Sequence, residues 1–542
     1  MVLSHPLYLL ASASGVATHL FVFRLGEWDV ASPSIFVSYA SCFAAAAAVC
    51  HTFLNIAVSG VAKLGGLHLV GLYLSMLLYR GFFHRLSKYP GPFLARLSNF
   101  YITAKSMKKL HIFEEVQQLH AQYGDIVRVG PRELSIASPE AVAAVYGSQS
   151  PVSKGPWYTL LEPRTPLFMA RDKQEHARRR KVWDRGFTTK ALLGYDPRIT
   201  KAINQMLAVV REHSEQAKPL NMTQWFDYFV FDIMEDLAFN KSSNMLENGK
   251  ESYIFETIRA DMYNIAFFTH LPWLLPFLKR TPVLNHNYLQ FWRWIQTQID
   301  ERRRNTPEQP DIFSWILEAY EKGPQTRRDQ YNLHGDAQLI VIAGTDSVAA
   351  TLTHMFLELA HHPAHTKALQ SELDALPDLS HDNLITIPLL DAIINETMRL
   401  HPPVASGTQR VTPPEGLHVG GQYIPGDTIV YVPSYTVFRD SRNFQQPTEF
   451  IPERWTSRPE LVKNKSVFIP FNIGPYACVG KRLAMLEIRR LVAEILWRYD
   501  IQLAPGHNKE AWLEGKQDVF TTVSPALPIL FTERCKEEVD LM

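Results

Sequence analysis

The sequence predicts a mainly α-helical domain with a small β part, preceded by an apolar N-terminal anchor. Three observations lead there. Charge is nearly missing at the start: through Tyr79 only Arg24, Glu27, Asp29 and Lys63 carry one. From Ile112 to the neighbourhood of Leu400, long mixed apolar and charged stretches alternate with prolines, the pattern of successive helices. Strand signals are confined to a few short runs.

Bulk properties narrow the function classes. A net charge of +1 over 542 residues offers no electrostatic footprint for nucleic acid. The four cysteines, Cys42, Cys50, Cys478 and Cys535, are too scattered for a disulfide framework, so the main domain is expected in a reducing compartment.

The anchor contains three apolar stretches, Leu7–Phe23, Ile35–Val58 and Leu64–Leu78. The middle one reaches the ~20 residues that cross a bilayer. The first and third are short and read as spans, interfacial segments or a hairpin, leaving the number of spans open. No basic region precedes Leu7, unlike a cleavable signal peptide. Arg80, His84, Arg85 and Lys88 follow the third stretch and by the positive-inside rule place the remainder in the cytosol. "KYPGPF" then breaks any helix at Pro90-Gly91-Pro92. The expected division is an anchor at 1–87, a hinge at 88–92 and one large domain at 93–542, with no repeat or second linker.

Within the domain, "DIVRVGPRELSIAS" (Asp125–Ser138) reads as a hairpin around a Gly-Pro turn. Gly416–Val432 reads as β runs broken at Gly420-Gly421. A long helix is expected from about Asp336 to His361, apolar on nearly every face and roughly 40 Å long. Gly344, Asp346 and Ser347 lie in its middle. An acid beside a hydroxyl in such a helix suggests proton delivery into a buried site; the competing reading is a glycine for close packing and a salt-bridged aspartate.

Three further constellations stand out. In "NETMRLHPP", Glu396 and Arg399 share one helix face, and Arg454 of "PERW" is an available third partner. In "HARRRKVW", His176 and Arg180 share a face while Arg178, Arg179 and Lys181 point elsewhere, either to an acidic partner or to solvent. In "FNIGPYACVGKRLA", Cys478 lies between Gly474 and Gly480 at the start of a helix running to about Tyr499. Helix N–H groups favour a thiolate there. A haem ligand, a nucleophile and an inert core cysteine all remain open on spacing alone.

Taken together and in this order, the motifs resemble those of the cytochromes P450, the haem-thiolate monooxygenases, over essentially the whole chain after Pro90. The resemblance makes Cys478 the axial thiolate of haem b, within a loop also formed by Phe471, Gly474 and Gly480, with Tyr476 where the family usually has arginine. Glu396, Arg399 and Arg454 become the structural Glu-x-x-Arg set. Asp346 and Ser347 become the proton-relaying pair, with serine in place of the usual threonine. His176, Arg180 and Arg410 become propionate contacts. It further implies NADPH electrons delivered by NADPH–cytochrome P450 reductase, docked with help from Arg178, Arg179 and Lys181, and cytochrome b5 as a second candidate donor.

The anchor and loops resemble microsomal fungal enzymes of secondary metabolism, in the endoplasmic reticulum membrane with the domain facing the cytosol. The substrate implied is a lipophilic small molecule. "FFTHLPWLLPFL" (Phe267–Leu278) is expected at the membrane surface beside its entrance, internal packing being the alternative, and Trp157, Tyr158 and Phe168 are candidate pocket walls or core. Rearrangement, dehydration or multi-step oxidation are alternatives within the family. A catalytically silent membrane scaffold is the alternative outside it, and a thiolate hydrolase lacks a histidine–acid partner in these motifs.

Overall fold

The computed structural model describes residues 5–535, so the outer limits 1 and 542 of the expected regions lie outside it. Three N-terminal helices come first: α1 (His5–Thr18), α2 (Ser32–Leu54) and α3 (Val58–Leu78), with π-turns extending α1 to Phe23 and α3 to Phe83. As apolar helices they run 19, 22 and 26 residues, each long enough to cross a membrane. The third thus starts earlier than expected and carries Lys63 near its beginning, where a long side chain can reach the interface.

α1 and α3 touch backbone to backbone. A Cβ added at Gly15 would collide with the His68 carbonyl, and one at Gly71 with the Ser12 carbonyl. Hydrogen bonds between Ser14 Oγ and His68 Nδ1 (2.8 Å), and between His19 Nδ1 and Ser75 Oγ (2.8 Å), lie along the same seam. Residues 24–31, between α1 and α2, return to the main domain. There Arg171 donates to both Glu27 carboxylate oxygens at 2.7 and 3.0 Å, and Arg132 donates to the Gly26 carbonyl at 3.2 Å. The Phe267–Leu278 segment packs on α2: Ser32 Oγ donates to the Trp273 carbonyl at 2.6 Å, and the Phe36 and Phe277 rings meet edge to face. Pro90 is tied down as well, its carbonyl accepting the Arg128 N–H at 2.7 Å.

The main domain is helical, as expected. The helices that place the site are α4 (Lys173–Arg185), α5 (Met222–Phe239), α6 (Tyr253–Phe268), α7 (Arg327–His361), α8 (Pro388–Leu400) and α9 (Lys481–Arg498). α7 begins nine residues before the expected start, because Thr326 and Asp329 form a capping box. The main apolar core gathers around α5, α7 and α9.

Among the described residues the β part is a five-stranded sheet, a three-stranded sheet of Leu220–Asn221, Pro528–Glu533 and Tyr499–Leu503, and two hairpins. In chain order the strands of the five-stranded sheet and of the first hairpin are β1 (Ile126–Gly130), β2 (Glu133–Ile136), β3 (Ser153–Lys154), β4 (Arg410–Val411), β5 (Leu417–Val419), β6 (Gln422–Ile424) and β7 (Ile429–Tyr431), with sheet order β1-β2-β7-β4-β3. β1–β2 and β5–β6 are the two expected hairpins, the second turning at Gly420-Gly421, where both residues have positive φ.

Candidate active site around Cys478

Phe471–Gly480 form a turn that ends on α9. Gly474 holds φ +68, and a Cβ there would press on the backbone of Tyr146 and Gly147. The Cys478 N–H donates to the Phe471 carbonyl at 2.8 Å and closes the turn. Cys478 is surrounded by protein, yet its side chain is accessible, as on the wall of a cleft. A Cβ at Gly480 would meet only the Phe187 ring at 3.8 Å and the Cys478 sulfur at 3.9 Å. Glycine there keeps clear the space beside the sulfur. Burial pushes the thiol up, opposed by N–H groups of Gly480 and Lys481 and by the charge of Arg180. Desolvation therefore outweighs the helix terminus that was expected to favour a thiolate. A metal ion on the sulfur would reverse that balance, since a coordinating thiol is deprotonated outright.

The wall beside this loop is cationic. β3 and β4 pair antiparallel with Lys154 directly opposite Arg410, and these side chains are only 1% and 2% exposed. Like charges in that register repel. Among the described residues neither has a carboxylate partner: Lys154 Nζ donates to the Phe168 carbonyl at 2.6 Å and Arg410 to Tyr158 Oη at 2.9 Å. The Tyr476 ring lies 4.6 Å from Lys154 Nζ and 4.9 Å from the Arg410 guanidinium, with the His176 ring edge-on at 4.8 Å. Tyr476 Oη and Arg410 Nε are buried without partners. Burial and the surrounding cations, Lys154 first among them, push His176 down to about 3 and keep its imidazole neutral. Burial and the charges of Arg410 and Arg179 push Lys154 well below its usual range, so its ammonium form calls for an anion. With Arg410 and two unpaired donors beside it, this wall suits the carboxylates of a ligand. The two propionates of haem, with its iron on Cys478, fit this chemistry.

Several expected residues do other work. Arg180 donates to the Ala477 carbonyl at 2.6 Å and to Asp184 at 2.7 Å, bracing the cysteine loop. Arg179 is buried, paired with Asp336 at 2.6 Å. It is therefore not on a docking face, contrary to expectation. Arg178 is exposed and bound to Glu175, and Lys181 is exposed. Lys154 was missed: "VSKGPW" looks like any solvated lysine until pairing puts it opposite Arg410.

On α7, Gly344 faces the Met234 side chain of α5, so close packing accounts for it. Asp346 and Ser347 turn to different partners. Thr521 Oγ1 donates to Asp346 Oδ2 at 3.2 Å, and burial raises Asp346 to about 6. Asp346 also lines a cavity with Asp227 and Arg259, and Arg259 pairs with Asp227 at 2.8 Å and with Glu251 at 3.1 Å. Ser347 Oγ donates back to the Ala343 carbonyl at 3.2 Å. Ala343 is exposed although the helix around it is largely buried.

Glu396, Arg399 and Arg454 come together as expected and are sealed from solvent. Glu396 accepts two bonds from Arg399 (2.9 and 2.8 Å), one from Arg454 (2.9 Å), one from Trp455 Nε1 (2.9 Å) and one from the Ile451 N–H (2.9 Å). The arginines spend their remaining donors on carbonyls of Phe438, Gln445, Gln446, Pro447 and Glu449. A buried ion set this completely satisfied fixes the segment that leads into the cysteine loop.

Comparison with known proteins agrees with this geometry. The Cytochrome P450 family model matches residues 90–530. Cytochrome P450 monooxygenase orf5 of Eupenicillium brefeldianum is 52% identical over 476 residues, covering 88% of this chain and 97% of the relative. Cytochrome P450 monooxygenase FCK2 of Fusarium pseudograminearum is 44% identical over 549 residues, covering 97% and 98%. Tryprostatin B 6-hydroxylase of Aspergillus fumigatus is 34% identical over 538 residues, covering 97% and 96%. With the motifs in register, a family match spanning most of its length and relatives aligned end to end, the chain belongs to the cytochrome P450 family and is a P450 monooxygenase.

Proposed function

We propose that this enzyme is anchored in the endoplasmic reticulum membrane by residues 1–87, and that residues 93–542, beyond the 88–92 connection, face the cytosol. There it inserts oxygen from O2 into a lipophilic intermediate of fungal secondary metabolism. Electrons come from NADPH through NADPH–cytochrome P450 reductase. The observation that carries the reading is an accessible Cys478 beside a buried, acid-free cationic wall. The name of the Aspergillus fumigatus relative states a 6-hydroxylation, which supports hydroxylation as the reaction type.

Cys478 would hold the haem iron through its thiolate, and Lys154, His176, Arg410 and Tyr476 would hold the propionates. Phe471, Gly474, Gly480 and Arg180 shape the loop. Bound haem supplies reductive activation of dioxygen, with the thiolate's electron donation favouring O–O cleavage. Asp346, raised to about 6, exchanges its proton close to neutral pH. The Ser347 hydroxyl, bonded only to its own helix, can turn to pass that proton inward. Lys181 and Arg178 remain on the surface for a reductase.

The test is the carbon monoxide difference spectrum of the reduced enzyme in microsomes. The strongly red-shifted band of thiolate ligation is expected, and its loss in Cys478→Ala. A band of histidine or neutral-thiol ligation in the wild type, or retention of the thiolate band in the variant, would remove Cys478 from the iron.

A further inference from the structure

A cavity lies between β1–β2, the loop before β4, the end of α6 and the hairpin at residues 517–523. It adjoins the site through Tyr158, which lines it and accepts from Arg410. One wall is flat and aromatic: the Trp157 and Phe520 rings stack at 5.1 Å with planes 8° apart. Phe520 has φ +91, strained for a bulky residue, and the hairpin tip holds that strain where its ring meets Trp157.

The polar lining is acidic. Glu133 and Asp518 are 6% and 5% exposed, and both border the cavity. Their partners are uncharged: Asp518 accepts from Ser406 Oγ at 2.5 Å and the Phe520 N–H at 3.0 Å, and Glu133 accepts from Asn99 Nδ2 at 2.7 Å. Among the described residues that line the cavity there is no lysine or arginine. Lys516 and Arg132 act on Asp518 and Glu133 through space, without an ion pair among the described residues. Lys516 sits over the Phe113 and Tyr435 rings, and Arg132 donates to the Gly26 carbonyl. His270 also lines the cavity, held neutral by burial, its Nδ1 without a partner.

Two buried carboxyls with no directly paired cation favour their neutral form until something cationic arrives. Each also retains lone pairs its present donors do not use. We propose that the substrate is an arylalkyl amine, a planar ring system carrying a basic aliphatic nitrogen, with its ring against the Trp157–Phe520 wall and its nitrogen bound by Asp518 and supported by Glu133. This rests on the monooxygenase reading and specifies its substrate class. Burial raises both carboxyls, Glu133 to about 7, so an entering ammonium also restores their ionised form. The same hairpin carries Thr521, the donor to Asp346, so a ligand seated on Asp518 and Phe520 bears on the acid of α7.

The test uses the full-length haem-loaded enzyme in lipid nanodiscs and equilibrium dialysis at pH 7, with empty nanodiscs as blank. The probes are gramine, an indole with a dimethylaminomethyl group, and its neutral isostere 3-isobutylindole. Gramine is expected to bind about 10-fold tighter or more, on the scale of one good charge contact. Asp518→Asn, isosteric and able to keep the Ser406 contact, should reduce that preference to about 3-fold or less without changing binding of the isostere. Glu133→Gln should reduce it partly. Equal affinity for the two probes, no gramine binding, or a preference that survives both substitutions would overturn the amine site. The carbon monoxide band of each preparation reports separately: its absence from the wild type would sink the monooxygenase reading itself.

Discussion

Lys154 and Arg410 face each other across two strands, a pairing that like charges disfavour and that the proposed haem carboxylates would make favourable. Lys154→Met should therefore have opposite effects on two observables. Removing one buried like charge should leave the haem-free protein as stable or more so, while haem is lost several-fold faster. Thermal melts of the apoprotein together with haem-to-protein ratios would show the split; tighter haem retention in the variant would refute the assignment. Ser347→Ala removes the hydroxyl next to Asp346 on its C-terminal side, Thr345 being buried and bonded to the Val341 carbonyl, and should lower product per NADPH while raising peroxide release. Unchanged coupling would take Ser347 out of the proton path. At this scale the sequence was informative where spacing sets contact, as for Glu396 and Arg399 three apart on a helix. It was uninformative for Lys154, whose partner lies more than two hundred residues away, and misleading for Arg179, whose turn toward Asp336 depends on how α4 packs on α7.

Among the elements, helices with strong local signals were legible and their ends were not. α7 was readable from its apolar length, whereas its start at the Thr326–Asp329 cap lies in a polar stretch that hides helical periodicity. α3 was underestimated because Lys63 interrupts its apolar run. The membrane-side arrangement has a direct consequence. Residues 24–31 bind the main domain, so α1 and α2 meet on that side, and the start of α1 and the α2–α3 turn lie on the other. If all three helices span, a long flexible loop carrying a glycosylation site should be modified when fused before α1 or inserted at residues 55–57, and not when inserted at 24–31. Modification at 24–31 would exclude three spans in this orientation. Gly71→Leu should splay α1 from α3, since even a Cβ meets the Ser12 backbone. Cysteine pairs placed across the α1–α3 seam should then cross-link much less than in the parent.

For the molecule as a whole, two sets of buried groups oppose each other with pH. His84, His176, His270 and His334 are pushed to about 3 or 4, so they stay neutral while the unfolded chain takes up protons below about 6.5; this set loses stability as pH falls from there through about 3. Glu133, Glu235 and Glu487 are raised to about 7, 7 and 8, so they stay protonated while the unfolded chain ionises from about 4.5; this set loses stability as pH rises through about 8. Between about 4.5 and 6.5 the slopes offset. Lys279 and Lys516 extend the first set to the alkaline side: burial holds them at about 7, so they stay neutral while the unfolded chain remains protonated toward 10.5, and this gain opposes the loss from the carboxyls. Melting of the solubilised holoenzyme should therefore fall clearly only on the acid side, below about 4.5, and stability that rises as pH falls through that range would contradict this account. The repulsion across β3 and β4 also bears on supply inside the cell. By mass action, a ligand that binds only the folded chain stabilises it by about 1.4 kcal/mol for each tenfold rise in its free concentration above Kd. A chain short of haem would hold its β3 edge least firmly and offer that strand first to proteases, so iron and porphyrin availability would set how much enzyme accumulates even at constant transcription.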